Sequence, residues 1–231
     1  MEDSGNSHWI PLSDLMMGLM MVFLLIATLY MMRVEQTTTL IVKEYQVTKE
    51  NLQRALQETF DSNFEQWDAE LLGDMTIRFN NPEVLFKTGS DKIRPKFAEI
   101  LEDFIPRYTS IILSEKFKDS IKEIRIEGHT STFWANAGSK LDAYLKNMEL
   151  SQSRTRSVLE YILNNGNINQ LDKSWLQTKL TANGLSSSKP VFKNSIIDQE
   201  SSQRVEFRII TNSDEKLSNI AKSFEKNLDI R

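Results

Sequence analysis

The sequence predicts a membrane-anchored α+β protein with one N-terminal transmembrane helix, a helical linker and a soluble domain. Three observations carry this prediction: an uncharged apolar run near the N-terminus, a following segment with apolar residues at every third or fourth position, and a remainder in which strand-like and helix-like patterns alternate. The predicted segments are a tail at 1–9, a transmembrane helix at 10–33, a helical linker at 34–70, an α+β domain at 71–212 and an amphipathic tail at 213–231.

Composition narrows the classes of function. The 231 residues have room for one ordinary domain plus an appendage, and the net charge of −4 argues against a nucleic-acid-binding face. The absence of cysteine excludes a disulfide framework and a thiolate metal site, and the only histidines are His8 and His129. We therefore expect no enzyme activity, no metal, no cofactor and no nucleic-acid partner.

The apolar run has the length of a membrane span. No residue in 15–32 is charged, and the run extends back to Trp9. About 22–24 helical residues measure about 33–36 Å, enough for a hydrocarbon core of about 30 Å. A cleaved signal peptide would begin with a basic segment, whereas this chain begins MEDSGNSH. We expect a permanent span whose orientation the flanking charges leave open.

Asp14 lies near the start of this span. A charge at membrane depth costs roughly 2.5–3.5 kcal/mol, which favours a functional role. Alternatively, Asp14 sits in the first turn at the headgroups, where the helix dipole favours it. Pro11 suits a first helical position, which would place Asp14 deeper. On a helix, Asp14 shares one stripe, which we expect to face protein, with Gly18, Met21, Leu25 and Thr28.

The linker has an apolar stripe that includes Leu52, Leu56 and Phe60. Either a dimeric coiled coil or packing on the following domain would bury this stripe. In a monomer it would leave a large apolar face uncovered, so we expect a homodimer.

The rest of the chain alternates between strand and helix in a βαβαββ order. We predict helices at 97–113, interrupted near Pro106, and at 150–163, followed after residue 213 by a short amphipathic helix. The order predicts an α+β sandwich with helices on one sheet. The predicted strands are 75–79, 84–86, 123–127, 176–182 and 204–210.

Four short motifs of this domain are familiar. Residues 126–130 read IEGHT, 147–154 read NMELSQSR, 204–207 read RVEF, and 86–90 read FKTGS. Together they resemble the OmpA-like peptidoglycan-binding domain. Joined to the span SDLMMGLMMVFL at 13–24, they make the chain similar to MotB-type stator subunits. Within that group the span is most similar to the ZorB family of Zorya anti-phage systems.

The resemblance implies a role for Asp14 as the ion-carrying carboxylate, with protons as the expected ion. It implies a homodimer inside a ring of MotA-like (ZorA-like) multi-span subunits, expected to be pentameric, in the bacterial inner membrane. The N-terminus would be cytoplasmic and the domain periplasmic, and the complex would serve anti-phage defence. The alternatives are a passive peptidoglycan tether and a flagellar-type stator subunit; a peptidoglycan hydrolase is disfavoured.

The resemblance also implies a peptidoglycan site. Arg154 would clamp a carboxylate of diaminopimelate in the peptide stem, which suits its planar guanidinium. Ser131 stands where the family has an aspartate, so the expected partner of the ligand amine is missing, and Asp142 is a candidate substitute. Phe133 and Trp134 either contact the ligand or cap the core. The implied site residues are Thr130, Ser131, Asn147, Leu150, Arg154 and Arg204.

Overall fold

The computed structural model describes residues 9–165, 168–212 and Ser218. The chain divides into two compact units, one containing the residues up to Tyr45 and the other Gln46–Glu215. The predicted tails, apart from Trp9 and Ser218, lie outside the described residues.

A single helix, α1 (Trp9–Trp67), contains both the predicted span and the predicted linker. In the first unit, every side chain of residues 12–37 is exposed. Among the described residues, α1 is the only helix long and apolar enough to cross a membrane. The hydroxyl of Thr28 donates to the backbone oxygens of Leu24 and Leu25, as is usual for a threonine within an apolar helix.

The second unit is built around a mixed five-stranded sheet with the order β1-β2-β7-β3-β4. Strands β3 and β4 are parallel, and the other neighbours are antiparallel. Strands β5 (Val191–Lys193) and β6 (Ile196–Asp198) form a separate hairpin. The sheet strands are β1 (Ala69–Leu71), β2 (Thr76–Phe79), β3 (Ile121–His129), β4 (Leu180–Gly184) and β7 (Arg204–Thr211).

In the described part of the chain, four further α-helices and one turn of 3-10 helix at Lys118–Ser120 accompany the sheet. The predicted βαβαββ order is present as β2–α3–β3–α4–β4–β7. The helices are α2 (Pro82–Leu85), α3 (Pro95–Ile112), α4 (Lys140–Asn165) and α5 (Gln170–Lys179).

The strand predicted at 84–86 is wrong, because the chain there forms the short helix α2. Asn81 caps this helix by accepting hydrogen bonds from the backbone N–H groups of Glu83 and Val84, and Pro82 occupies its first turn. Only Phe86 pairs as a strand residue, in an isolated bridge to Ile93. A cap and a proline therefore override the apolar pattern.

Two other boundaries differ from the prediction. The strand predicted at 176–182 begins at Leu180, because Asn169 caps α5 by accepting from the backbone N–H of Asp172. Helix α3 continues through Pro106 without interruption, and α4 begins at Lys140, well before the predicted residue 150.

The linker stripe is buried within its own chain. Leu52, Leu56 and Phe60 are 0% exposed and belong to the core of the second unit. The Phe60 ring lies 5.2 Å from that of Phe104 on α3, and the guanidinium of Arg107 lies 4.8 Å above it. The expectation that this stripe stays uncovered in a monomer is wrong, since α3 and the sheet supply the second half of a core.

Candidate functional site

Five of the six implied site residues line one surface cavity of about 390 Å³, which we call the Arg154 groove. It lies between the loop before α3, the segment after β3 and helix α4. The five residues are Thr130, Ser131, Asn147, Leu150 and Arg154.

Two glycines bring α4 close to the sheet at this point. Gly128 on β3 and Gly184 on β4 are paired in register. A Cβ on Gly128 would lie 2.6 Å from Cγ2 of Thr155, and one on Gly184 would overlap the backbone nitrogen of Gln152. Because neither strand carries a side chain here, α4 rests on their backbones, which fixes the position of Arg154.

A chain of hydrogen bonds connects α4 to the segment after β3. The hydroxyl of Ser151 accepts from the backbone N–H of Ser186 at 3.0 Å, and the backbone oxygen of Ser186 accepts from the N–H of Thr130 at 2.9 Å. Thr130 is 3% exposed, and no described residue hydrogen-bonds to its hydroxyl. The Thr130 hydroxyl is thus a buried polar group beside the groove whose hydrogen-bonding capacity is not used by the described residues.

Asn147 holds the loop that follows Thr130. Its side-chain amide donates to the backbone oxygen of Phe133 at 3.1 Å, and the hydroxyl of Ser131 donates to the same oxygen at 3.3 Å. Phe133 is 72% exposed, so it does not cap the core, and both Phe133 and Trp134 line the groove.

Hydrogen bonds to the loop before α3 fix the position of the Arg154 side chain. Its Nε donates to the backbone oxygen of Ser90 at 2.9 Å and its Nη2 to that of Lys87 at 3.2 Å. The guanidinium lies 4.9 Å from the centre of the Phe86 ring. Burial lowers the pKa of Arg154 to about 10, opposed by the charge of Asp91, so the group remains a cation at neutral pH. A guanidinium has five N–H groups, which leaves donors for an anion in the groove.

Arg204 is the implied site residue that does not line the groove. It is buried, and its Nε donates to Oε1 of Glu206 at 2.7 Å, while Nη1 donates to the backbone oxygens of Lys189 and Ser202. Its role in this structure is to neutralise a buried carboxylate.

That carboxylate belongs to a buried ionic cluster behind the groove. Burial lowers the pKa of His129, whose Nε2 lies 3.4 Å from Oε2 of Glu206 and 3.9 Å from Oε2 of Glu127. Burial alone would raise the pKa of Glu206, but the His129 ring 3.4 Å away and the charge and hydrogen bond of Arg204 hold it well below its usual range.

These three side chains place ligand-type atoms within 4.8 Å of one another, as a metal site would. However, Arg78 donates to Glu206 at 2.8 Å, alongside Arg204, and the ammonium of Lys189 lies 3.6 Å from Glu127. A metal cation would add to three positive charges, so the cluster fits an internal ion-pair network better than a metal centre.

The candidate substitute Asp142 lies elsewhere. Its carboxylate accepts from the backbone N–H of Gly138 and from the ammonium of Lys146, both at 2.9 Å, and it does not line the groove. The sequence reasoning missed two other acids, Asp91 and Glu149, which line an adjoining cavity. Their only signal was position: Asp91 follows the FKTGS motif, and Glu149 precedes the Leu150 of NMELSQSR.

Asp14 belongs to the first unit and the groove to the second. Its side chain is exposed on α1, within the stretch 12–37 whose side chains are all exposed. The structure therefore presents two candidate sites of different kinds: a carboxylate on an uncovered apolar helix, and a cationic groove in an α+β domain.

Comparison with known proteins agrees with this architecture. The OmpA family matches residues 85–204. The Zorya protein ZorB of Escherichia coli strain Crooks is 40% identical over 227 residues, which cover 95% of this chain and 94% of the relative. The crystal structure of a MotB-like protein from Desulfovibrio vulgaris shares the fold, with a TM-score of 0.50 and 24% identity over 72% of this chain and 93% of that one. The resemblance predicted from the motifs is thus confirmed, and the chain belongs to the OmpA family and to the family of the Zorya protein ZorB.

Proposed function

We propose that this chain is the MotB-like, peptidoglycan-anchored subunit of a proton-driven inner-membrane motor complex that serves anti-phage defence. The observation that carries the proposal is the presence on one chain of a carboxylate, Asp14, in an uncovered apolar helix and of the Arg154 groove in a compact domain. The relationship to the Zorya protein ZorB supports the defence role.

The apolar end of α1 requires a membrane or a partner. The large apolar side chains between Leu12 and Met32 are all at least 45% exposed. Burying one such side chain is worth about 1.5–3 kcal/mol, so water is a poor medium for this segment. We place it across the inner membrane with the N-terminus in the cytoplasm, which puts the domain in the periplasm beside the peptidoglycan.

Asp14 is then the only acidic or basic residue in 9–32. A carboxylate that alternates between protonated and charged states carries one proton per cycle. Moving one charge down the membrane potential supplies about 2.3 kcal/mol per 100 mV. A MotA-like (ZorA-like) ring, expected to be pentameric, would provide the polar partners that an isolated helix lacks and would convert each proton step into rotation.

The proposed homodimer rests on the exposed part of α1. Because Leu52, Leu56 and Phe60 are buried by their own domain, pairing between two copies falls to the helix before residue 46. The stripe of Asp14, Gly18 and Thr28 would face the second copy and the ring, since small and polar residues favour helix contacts in lipid.

The Arg154 groove is the proposed wall anchor. A guanidinium fixed by two backbone oxygens and the unpartnered hydroxyl of Thr130 suit a carboxylate of the peptide stem. Attachment to the wall would hold the subunit still while the ring turns around it.

Two variants test the whole proposal together, in cells that carry the chain and its neighbouring defence genes. Asp14→Asn and Arg154→Ala are each expected to abolish protection against phage while the amount of protein in the membrane stays unchanged. Asp14→Glu, which keeps an ionisable group, is the matched control and should retain part of the protection. Full protection with Asp14→Asn, together with loss in Arg154→Ala, would reduce the chain to a passive tether.

A further inference from the structure

The Arg154 groove contains no carboxylate of its own. Ser131, the residue after Thr130, lines the groove, and its hydroxyl donates a hydrogen bond to the backbone oxygen of Phe133. If a ligand group has both a carboxylate and an ammonium, only the carboxylate would find an oppositely charged partner among the residues that line this groove.

A second cavity of about 300 Å³ adjoins the groove and contains acids. The two cavities share Gly89, Trp134 and Leu150, so they lie side by side with a common wall, and we call the second cavity the second lobe. The side chains of Asp91 and Glu149 line the second lobe.

Both carboxylates are free to take a cation. No hydrogen bond or ion pair joins Asp91 or Glu149 to another residue in the described part of the chain. The basic residue that lines this lobe, Lys146, is already paired with Asp142 at 2.9 Å. Asp91 is also close enough to Arg154 for its charge to raise the pKa of the guanidinium, against the effect of burial. Cation and anion therefore lie side by side across the shared wall.

We propose that Asp91 and Glu149 bind the ammonium of a diamino-acid end of the peptide stem whose carboxylate is held by Arg154. This inference rests on the proposed function of the groove as the wall anchor. The ligand class is a zwitterionic amino-acid terminus: the guanidinium pairs with the carboxylate, the two acids pair with the ammonium, and Trp134 packs on the aliphatic part between them. The chain thus recovers, from a different lobe, the negative charge that position 131 lacks.

The test uses the full chain in detergent and two synthetic stem peptides. One peptide ends in meso-diaminopimelate, and the other ends in 2-aminopimelate, which keeps the side-chain carboxylate and lacks its ammonium. The double variant Asp91→Asn/Glu149→Gln is expected to bind the first peptide at least about tenfold more weakly than the wild type, as the loss of a charged hydrogen bond predicts. For the second peptide, the two proteins should have the same affinity.

Glu160→Gln is the matched control, because it removes one acid from the exposed face of the same helix, where Glu160 pairs with Arg156. It should bind both peptides like the wild type. Equal affinity of wild type and double variant for the diaminopimelate peptide would overturn the inference, as would a loss confined to Asp142→Asn. If Arg154→Ala still loses binding in that case, the proposed function stands; if the wild type binds neither peptide nor purified peptidoglycan, the proposed function fails and the inference with it.

Discussion

The two ends of α1 differ in how their apolar residues are arranged and in what covers them. Residues 15–32 are apolar or uncharged on every face, and every side chain there is exposed. Between Leu52 and Trp67 the apolar residues form one stripe, and that stripe is buried against α3 and the sheet. A helix that is apolar all round suits lipid, whereas a single stripe suits one protein surface.

The contrast changes the interpretation of the linker. A stripe repeating every three or four residues fits both a coiled coil and a domain face, and the sequence leaves the choice open. The aromatic neighbours decide it: the Trp67 ring lies 6.4 Å from that of Phe79 on β2 and 6.2 Å from that of Phe104 on α3. The end of α1 is therefore part of the α+β domain.

Phe60→Ala should lower the free energy of unfolding of the domain by about 3–5 kcal/mol, because it removes a fully buried ring that also stacks with Arg107. Leu25→Ala, the same kind of truncation at the exposed end, should leave the domain's stability unchanged. Urea unfolding of the full chain in detergent, followed by near-ultraviolet circular dichroism, measures both.

A different result for Phe60→Ala would indicate that the apolar stripe of the linker forms a dimer interface. If Phe60→Ala kept the stability of the domain and instead made unfolding depend on protein concentration, the linker would pair between copies.

The two regions also differ in their ionisable groups, since Asp14 is exposed whereas His129 is buried. Because burial lowers the pKa of His129 from 6.5, the unfolded chain binds more protons than the folded domain below that pH. The contribution of His129 to the free energy of unfolding is therefore fully present above about pH 6.5. It is lost as the pH drops, by at most about 1.4 kcal/mol per pH unit for one group.

The effect of His129 on stability can be measured separately from that of Glu206 between about pH 4.5 and 6.5. The lowered pKa of Glu206 makes its own contribution fall away only below about 4.5, so it does not interfere. His129→Gln is expected to flatten the slope in urea unfolding across this window, and His8→Gln, which removes the other histidine, is expected to retain it. An unchanged slope in His129→Gln would assign the pH dependence to other groups.

Much of the fold follows from periodicity. The patterns at 97–113, 123–127 and 204–210 predict α3, β3 and β7, since each is long or strictly alternating. The segments predicted wrongly as strand are short, because at 84–86 and 176–179 a few apolar residues fit either strand or helix. There the capping residues Asn81 and Asn169 favour helix.

The site was predictable to the extent that it is local in sequence. The motifs at 126–130 and 147–154 contain four residues of the groove, and the fifth, Ser131, directly follows the first motif. They could not show that Arg204 is turned to Glu206, because that pairing depends on burial within the sheet. Asp91 and Glu149 were missed because they line the second lobe only after α4 packs beside the loop before α3.

We propose that Asp14 carries protons when the chain is assembled with its multi-span partner. Proteoliposomes containing both proteins and an internal pH-sensitive dye measure this directly after a membrane potential is imposed. We expect proton uptake with the wild type and only the background of empty liposomes with Asp14→Asn. Equal uptake by the two would contradict it.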